Sequence, residues 1–186
     1  MIRCLAQKLI KEGGKTVVVS GIPPLGCAPA NLEVMANQTG GEYDPGTGCL
    51  RGLNQLSKDH NAQLRRALAR LGGRSPAGVR VVYADLYSPI IDFAAAPGRY
   101  GFEGTLRACC SGGGGGGGGG GRYNVDHAAL CGMPGPGVSA CADPSKYVYW
   151  DGVHLTEAAN RRIADGWLRG PYAHPPILNT TATATD

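Results

Sequence analysis

Asp151 and His154 have the residue types and the spacing for acid–base chemistry. On a short turn, an Asp and a His three apart can fold back on each other. The carboxylate then accepts a hydrogen bond from one imidazole nitrogen, which fixes the tautomer and leaves the other nitrogen free to take a proton from a nucleophile. Such a pair is two-thirds of a hydrolytic triad. The plain structural alternative is that Asp151 caps the turn and His154 is an ordinary loop histidine. The third member is not evident among the serines. There is no G-x-S-x-G elbow, and Ser20 meets Gly21 at a strand end without the first half of that motif. Ser88 and Ser145 adjoin prolines as turn residues do, and Ser57 and Ser75 belong to a helix face and a loop. A zinc site would want close pairs such as C-x-x-C, whereas Cys109 and Cys110 are adjacent and Cys131 and Cys141 follow well apart. No metal and no cofactor is expected. The ten glycines Gly112–Gly121 contain G-x-G-x-x-G trivially, and a dinucleotide loop would need a strand before them and a helix after. They read as a flexible linker with a span of about 17 Å.

The elements that must position the pair follow from periodicity. Ile2, Leu5, Leu9 and Ile10 share a helical face that Gly13-Gly14 ends, predicting a helix over Ile2–Glu12. Thr16–Ser20 is a β-branched run, read as a strand buried on both faces of a parallel sheet. Gly21–Pro29 then lies at the carboxyl end of that strand, where open α/β sheets place ligands, and Ile22, Pro23 and Leu25 are candidate substrate-binding walls. A loop excursion is expected over 31–48. Leu53, Leu56, His60, Leu64, Ala67, Leu68 and Leu71 advance by threes and fours, predicting a helix over Leu53–Leu71 with His60 packed on its apolar stripe. Val79–Ala84 reads as a second strand, with Asp85 capping the turn before Ser88-Pro89. Residues 97–145 read as irregular. Thr156 is a plausible N-cap for a final helix, through Arg169, whose inward face carries Ala158, Ala159, Ile163 and Trp167. Only two strands are predicted, parallel neighbours joined by a right-handed crossover.

The residues around the pair carry a wider pattern. WDGVHLTEAANRRIADGW resembles the C-terminal signature block of the plant-type GDSL esterase/lipases of the SGNH hydrolase superfamily. Further landmarks stand in the same order: VVVSGIPPLGCAP (Val17–Pro29), TGCL with a following Asn and His (Thr47–His60), VVYADLYSPI (Val81–Ile90), and ACC, a Gly-rich run, YN and CG (Ala108–Gly132). The resemblance runs from about Lys15 to Leu178. It implies Asp151 and His154 as the acid and base of a Ser-His-Asp triad, and a flavodoxin-like three-layer α/β/α fold. It also implies disulfides joining Cys27 to Cys49, and Cys109 and Cys110 each to one of Cys131 and Cys141, with Cys4 left over. One departure matters: the Gly-Asp-Ser block with the nucleophile, and the two blocks that supply the oxyanion hole, occur nowhere in the 186 residues. The expectation is therefore a partial sheet lacking its N-terminal strands. Residues 1–178 would be the C-terminal part of a single hydrolase domain, 112–121 a linker and 179–186 a disordered tail.

Composition bounds the remaining classes. A hydrophobic content of 42% and 17% charge suit a globular protein, while 31 Gly and 13 Pro push toward loops. The eighteen Lys and Arg are spread along the chain and give a net charge of only +4, with no basic run interleaved with stacking aromatics, so nucleic acid is not an expected partner. No eighteen-residue apolar stretch predicts a membrane span. Seven cysteines favour an oxidising compartment, and the sequons at Asn37 and Asn179 are candidate glycosylation sites compatible with it. Met1–Ile10 does not read as a signal peptide, because Lys8 and then Lys11 interrupt any apolar core. A secreted parent that lost its N-terminal half reconciles the two signals. Three functions follow: an esterase acting on a small-molecule or lipid ester, a catalytically inactive truncated relative, and a secreted disulfide-rich module that binds an ester or glycan without turning it over. A sheet left open on one side is also expected to self-associate through its exposed edge.

Overall fold

A computed structural model describes residues 2–36, 42–112, 121–127, 129–133 and 137–178. Asn37, Asn179, most of the glycine run and the tail 179–186 lie outside the described residues. The chain opens with α1 (Ile2–Lys11), β1 (Thr16–Ser20), a 3-10 turn at Leu25–Cys27 and α2 (Pro29–Ala36). Next come α3 (Arg51–Gly72), β2 (Arg80–Ala84), α4 (Tyr87–Ala95) and α5 (Pro97–Tyr100). Short strands β3 (Gly104–Ala108), β4 (Cys110–Gly112), β5 (Val138–Ala140) and β6 (Tyr147–Tyr149) precede α6 (Glu157–Arg169) and β7 (Ala173–His174).

This is a mixed α/β fold in which β1 and β2 pair in parallel, in register from Thr16–Arg80 to Ser20–Ala84. On its other side β2 pairs antiparallel with β7, so β2 is central and β1 is an edge. Parallel strands need a long crossover, and α3 provides it. One face of the sheet is built as the valines predict. Val17 packs with Ala6 and Leu71, and Val19 and Val81 lie between that cluster and Leu64, Leu68 and Tyr83. The other face is covered over β2, where Val82 is fully buried, and not over β1, where Val18 is 43% exposed. The reading of Thr16–Ser20 as buried on both faces is corrected on that count.

Several other expectations need correction. The stretch after Asn31 is not all loop, since α2 runs to Ala36. Residues 97–145 hold α5, β3, β4 and β5 rather than irregular chain. Strands of three to five residues whose partners are distant in sequence show too little alternation to be read locally. On α3 the expected stripe is shifted. His60 and Leu56 are exposed, and the buried positions are Asn54, Ser57, Asn61, Leu64, Leu68 and Leu71. The N-terminal half of that helix therefore buries a polar line against the chain that follows β1.

A second core lies under β6. Phe93 sits edge-on to Tyr100 and tilted against Phe102, with ring centroids 4.9 and 5.0 Å apart, and packs with Val148, Tyr149, Ala159 and Ile163. β6 pairs in parallel with β3 through Gly104–Tyr147 and Ala108–Tyr149. Disulfides join Cys27 to Cys49, Cys109 to Cys141 and Cys110 to Cys131, while Cys4 is a free, exposed thiol.

Candidate active site

The Asp151–His154 turn is built between the end of β6 and the start of α6. Thr156 begins the helix as its N-cap, with Oγ1 accepting from the Ala159 amide at 3.2 Å while its own hydroxyl donates to the Tyr147 carbonyl at 2.6 Å. The Thr156 amide donates to the Val148 carbonyl at 2.9 Å, and a bridge joins Tyr149 to Leu155. Five residues, Trp150 to His154, are left to reverse the chain, and Asp151 supplies the reversal. Its Oδ1 accepts the Val153 amide at 2.8 Å and the His154 amide at 2.6 Å. Its Oδ2 lies 2.8 Å from His154 Nδ1.

The two oxygens of Asp151 are divided between the turn and the ring: one caps the turn and the other contacts the imidazole. Burial pushes the Asp151 carboxyl up, but the hydrogen bonds from the His154 amide, the His154 ring and the Val153 amide outweigh it and hold it below the usual carboxylate range. An ionised carboxylate only accepts, so Nδ1 carries the proton. In the neutral form of such a ring Nε2 is the nitrogen that carries the lone pair. The His154 side chain is 78% exposed and that of Asp151 24%, so the imidazole faces outward on a sheltered carboxylate.

The loop after β1 is held by the polar line on α3. Asn61 accepts the Ile22 amide at 2.8 Å and donates to the Ile22 carbonyl at 2.9 Å. The Leu25 amide donates to Ser57 Oγ at 3.2 Å and the Gly26 amide to Asn54 Oδ1 at 2.9 Å. A Cβ on Gly21 would run into the Tyr83 hydroxyl and the Asn61 amide oxygen, and one on Gly26 into the Leu50 carbonyl. Glycine is required at both positions by close approach. The sequence offers Asn54 only as part of a landmark and Ser57 only as a helix-face residue, and Asn61 not at all, although their three- and four-residue steps beside a strand exit are a signal for side chains that tie down a loop. Ile22, Pro23 and Leu25 are half-buried in this loop. The link from it to the Asp151–His154 turn runs through Ala30, whose amide donates to the Gly152 carbonyl at 3.0 Å. Asp85 caps the start of α4, accepting the Tyr87 and Ser88 amides and the Ser88 hydroxyl. Ser88 is thus committed to a turn.

Fold and site together define an α/β chain that presents a carboxylate-held imidazole at its surface. The chain belongs to the GDSL-like lipase/acylhydrolase family, whose model matches residues 2–167. It is 45% identical over 171 residues to a GDSL esterase/lipase of Arabidopsis thaliana, covering 91% of this chain and 41% of that protein. A second Arabidopsis thaliana GDSL esterase/lipase is 44% identical over 172 residues, covering 92% and 44%. The sinapine esterase of Brassica napus is 42% identical over 168 residues, covering 90% and 41%. The chain thus spans less than half the length of these relatives. Among the described residues no helix is long and apolar enough to cross a membrane.

Proposed function

We propose that Asp151 and His154 are the acid and base of a Ser-His-Asp esterase, acting on a carboxylic ester of a small molecule or lipid outside the cell. The observation that carries this is the 2.8 Å contact between Asp151 Oδ2 and His154 Nδ1 on an exposed ring, which with Nδ1 as donor leaves Nε2 as the nitrogen to take a proton. In such a triad the base activates a serine hydroxyl, the acyl-enzyme forms, and the same imidazole returns the proton to the leaving group. Ile22, Pro23 and Leu25 would line the acyl or alcohol side of the site, on a loop fastened to α3. The serine belongs to the portion of the family sequence that this chain does not span.

The test has two arms. The purified chain, assayed on short-chain nitrophenyl esters, is expected to show no turnover that His154→Ala abolishes. The same chain joined to the portion of the Brassica napus sinapine esterase that it does not span is expected to hydrolyse nitrophenyl esters, with sinapine included as a trial substrate. His154→Ala or Asp151→Asn should then lower kcat by about 10⁴-fold or more. Undiminished hydrolysis in either variant overturns the assignment.

The open edge of β1 supports a second property, self-association. Val18 is exposed there, and Leu5 and Leu9 of α1 are 59% and 57% exposed. A strand with unpaired amides and carbonyls is a template for another strand. The chain on its own is expected to form dimers through β1, and Val18→Lys to return it to a monomer by light scattering. A monomeric unmodified chain overturns this.

A further inference from the structure

The Trp150 peptide connects the Asp151–His154 turn to the disulfide framework. Its carbonyl accepts the Cys110 amide at 2.6 Å and its own amide donates to the His154 carbonyl at 2.8 Å. One residue earlier, the Cys109 amide donates to the Tyr149 carbonyl at 3.1 Å, and the Cys109 carbonyl accepts the Cys141 amide at 2.7 Å. Cys109 and Cys110 are both buried, and each is bonded to a different partner, Cys141 and Cys131. Consecutive cystines therefore grip consecutive peptides at the point where β6 ends and the turn begins. Among the described residues the other polar contacts of the turn are its own Asx bonds and ring contact, the Ala30 amide on Gly152, and the return of Leu155 and Thr156 along β6. The Asx bonds shape the turn but cannot fix where it stands relative to the body of the protein. Adjacent cysteines cannot readily bond each other, which leaves each free to anchor a separate strand, and here both anchors converge on one site.

We propose that the adjacent cystines Cys109–Cys141 and Cys110–Cys131 are a positioning device for the Asp151–His154 pair, with Cys110–Cys131 setting the height of the turn through the Trp150 carbonyl. The catalytic part of this statement rests on the function proposed above. The geometric part does not, and it can be tested on the chain by itself. The deciding variant is Cys131→Ser, which removes the cross-link and keeps the buried Cys110 side chain.

The readout is the tautomer of His154, observed by long-range nitrogen–proton correlation in the histidine-labelled chain at neutral pH. The unmodified chain is expected to hold His154 mainly as the Nδ1–H form, and Cys131→Ser to lose that majority to the Nε2–H form. The resonances of Leu68 and Val81, remote from the strap, should be unchanged and show that the sheet is folded. If Cys131→Ser does not fold, hydrogen exchange in the unmodified chain decides. The Cys110 and Trp150 amides should be protected and should lose protection together with the His154 amide. A folded Cys131→Ser that keeps the Nδ1–H majority, or a His154 amide that opens independently of Cys110, overturns the proposal. In the esterase joined to the sinapine esterase portion, Cys131→Ser should lower kcat with little change in KM. If the tautomer changes and hydrolysis by that joined protein does not depend on His154, the positioning stands and the catalytic assignment fails.

Discussion

Val18 and Val82 face each other across one rung of the same parallel ladder, yet Val18 is 43% exposed and Val82 is completely buried. The difference separates two regions of the molecule. Among the described residues the sheet is open around β1: one edge is unpaired, one face leaves Val18 exposed, and the neighbouring α1 shows Leu5 and Leu9 to solvent. Around β6 the chain is closed on every side that its three residues offer. β3 pairs along one edge, Leu155 and Thr156 fold back along the other, and Cys109 and Cys110 hold the end. The same polypeptide thus completes its Asp151–His154 turn from local and disulfide-linked contacts, while the outer edge of β1 has no partner strand among the described residues. The turn stands where cystines, a strand and a helix cap restrain it together, whereas β1 relies on one strand and one covered face.

The contrast can be broken most forcefully in the closed region. Phe93→Ala should cost about 3–5 kcal/mol, because Phe93 is 1% exposed and the ring fills the space between Tyr100, Phe102 and Val148. Denaturant unfolding measures it, and a loss below about 1 kcal/mol would show that this region is not the stable one. The shared rung comes next. Val82→Ala should cost about 2 kcal/mol and Val18→Ala less than about 0.5, and equal losses would remove the distinction between the two sides of the ladder. Thr156→Ala removes both the N-cap of α6 and the hydroxyl bond to Tyr147, for an expected loss of about 1–2 kcal/mol. Restoring most of it with Ser would assign the loss to the hydroxyl rather than to packing.

The smallest effect concerns protons. The Asp151 carboxyl is held below its unfolded range, so its contribution to the turn is complete above about pH 4 and is lost as pH falls through the folded value. A carbon-detected titration of Asp151 should give a midpoint below the ordinary carboxylate value, and His154→Ala should move it upward by removing the ring hydrogen bond. A midpoint at the ordinary value in the unmodified chain would mean that the pair is not held as described.

Much of this was legible in the residues. The β-branched Thr16–Ser20 and the run Val79–Ala84 became parallel neighbours, with the second strand starting one residue later, and Thr156 became the cap expected of it. The final helix buries Ala159 and Ile163 as its spacing requires. The α3 stripe was misjudged because a helical wheel counts apolar side chains, and here the buried line in the first half of the helix is Asn54, Ser57 and Asn61. Those side chains are buried because three backbone amides of the loop need acceptors, a demand that exists only once the loop lies against the helix.

What the sequence determined by itself is what short-range physics can settle: the three long helices α1, α3 and α6, the strands β1 and β2, the turn chemistry of Asp85 and Thr156, and the Asp-x-x-His spacing. Tertiary structure decided which faces are covered, that His60 points to solvent, how Cys109 and Cys110 divide their partners, and that both converge on the peptides before Asp151. The physical reason is range. A cap or a helical period is written within a few residues, whereas burial and hydrogen-bond satisfaction depend on atoms that sequence distance does not bring together until the chain has folded.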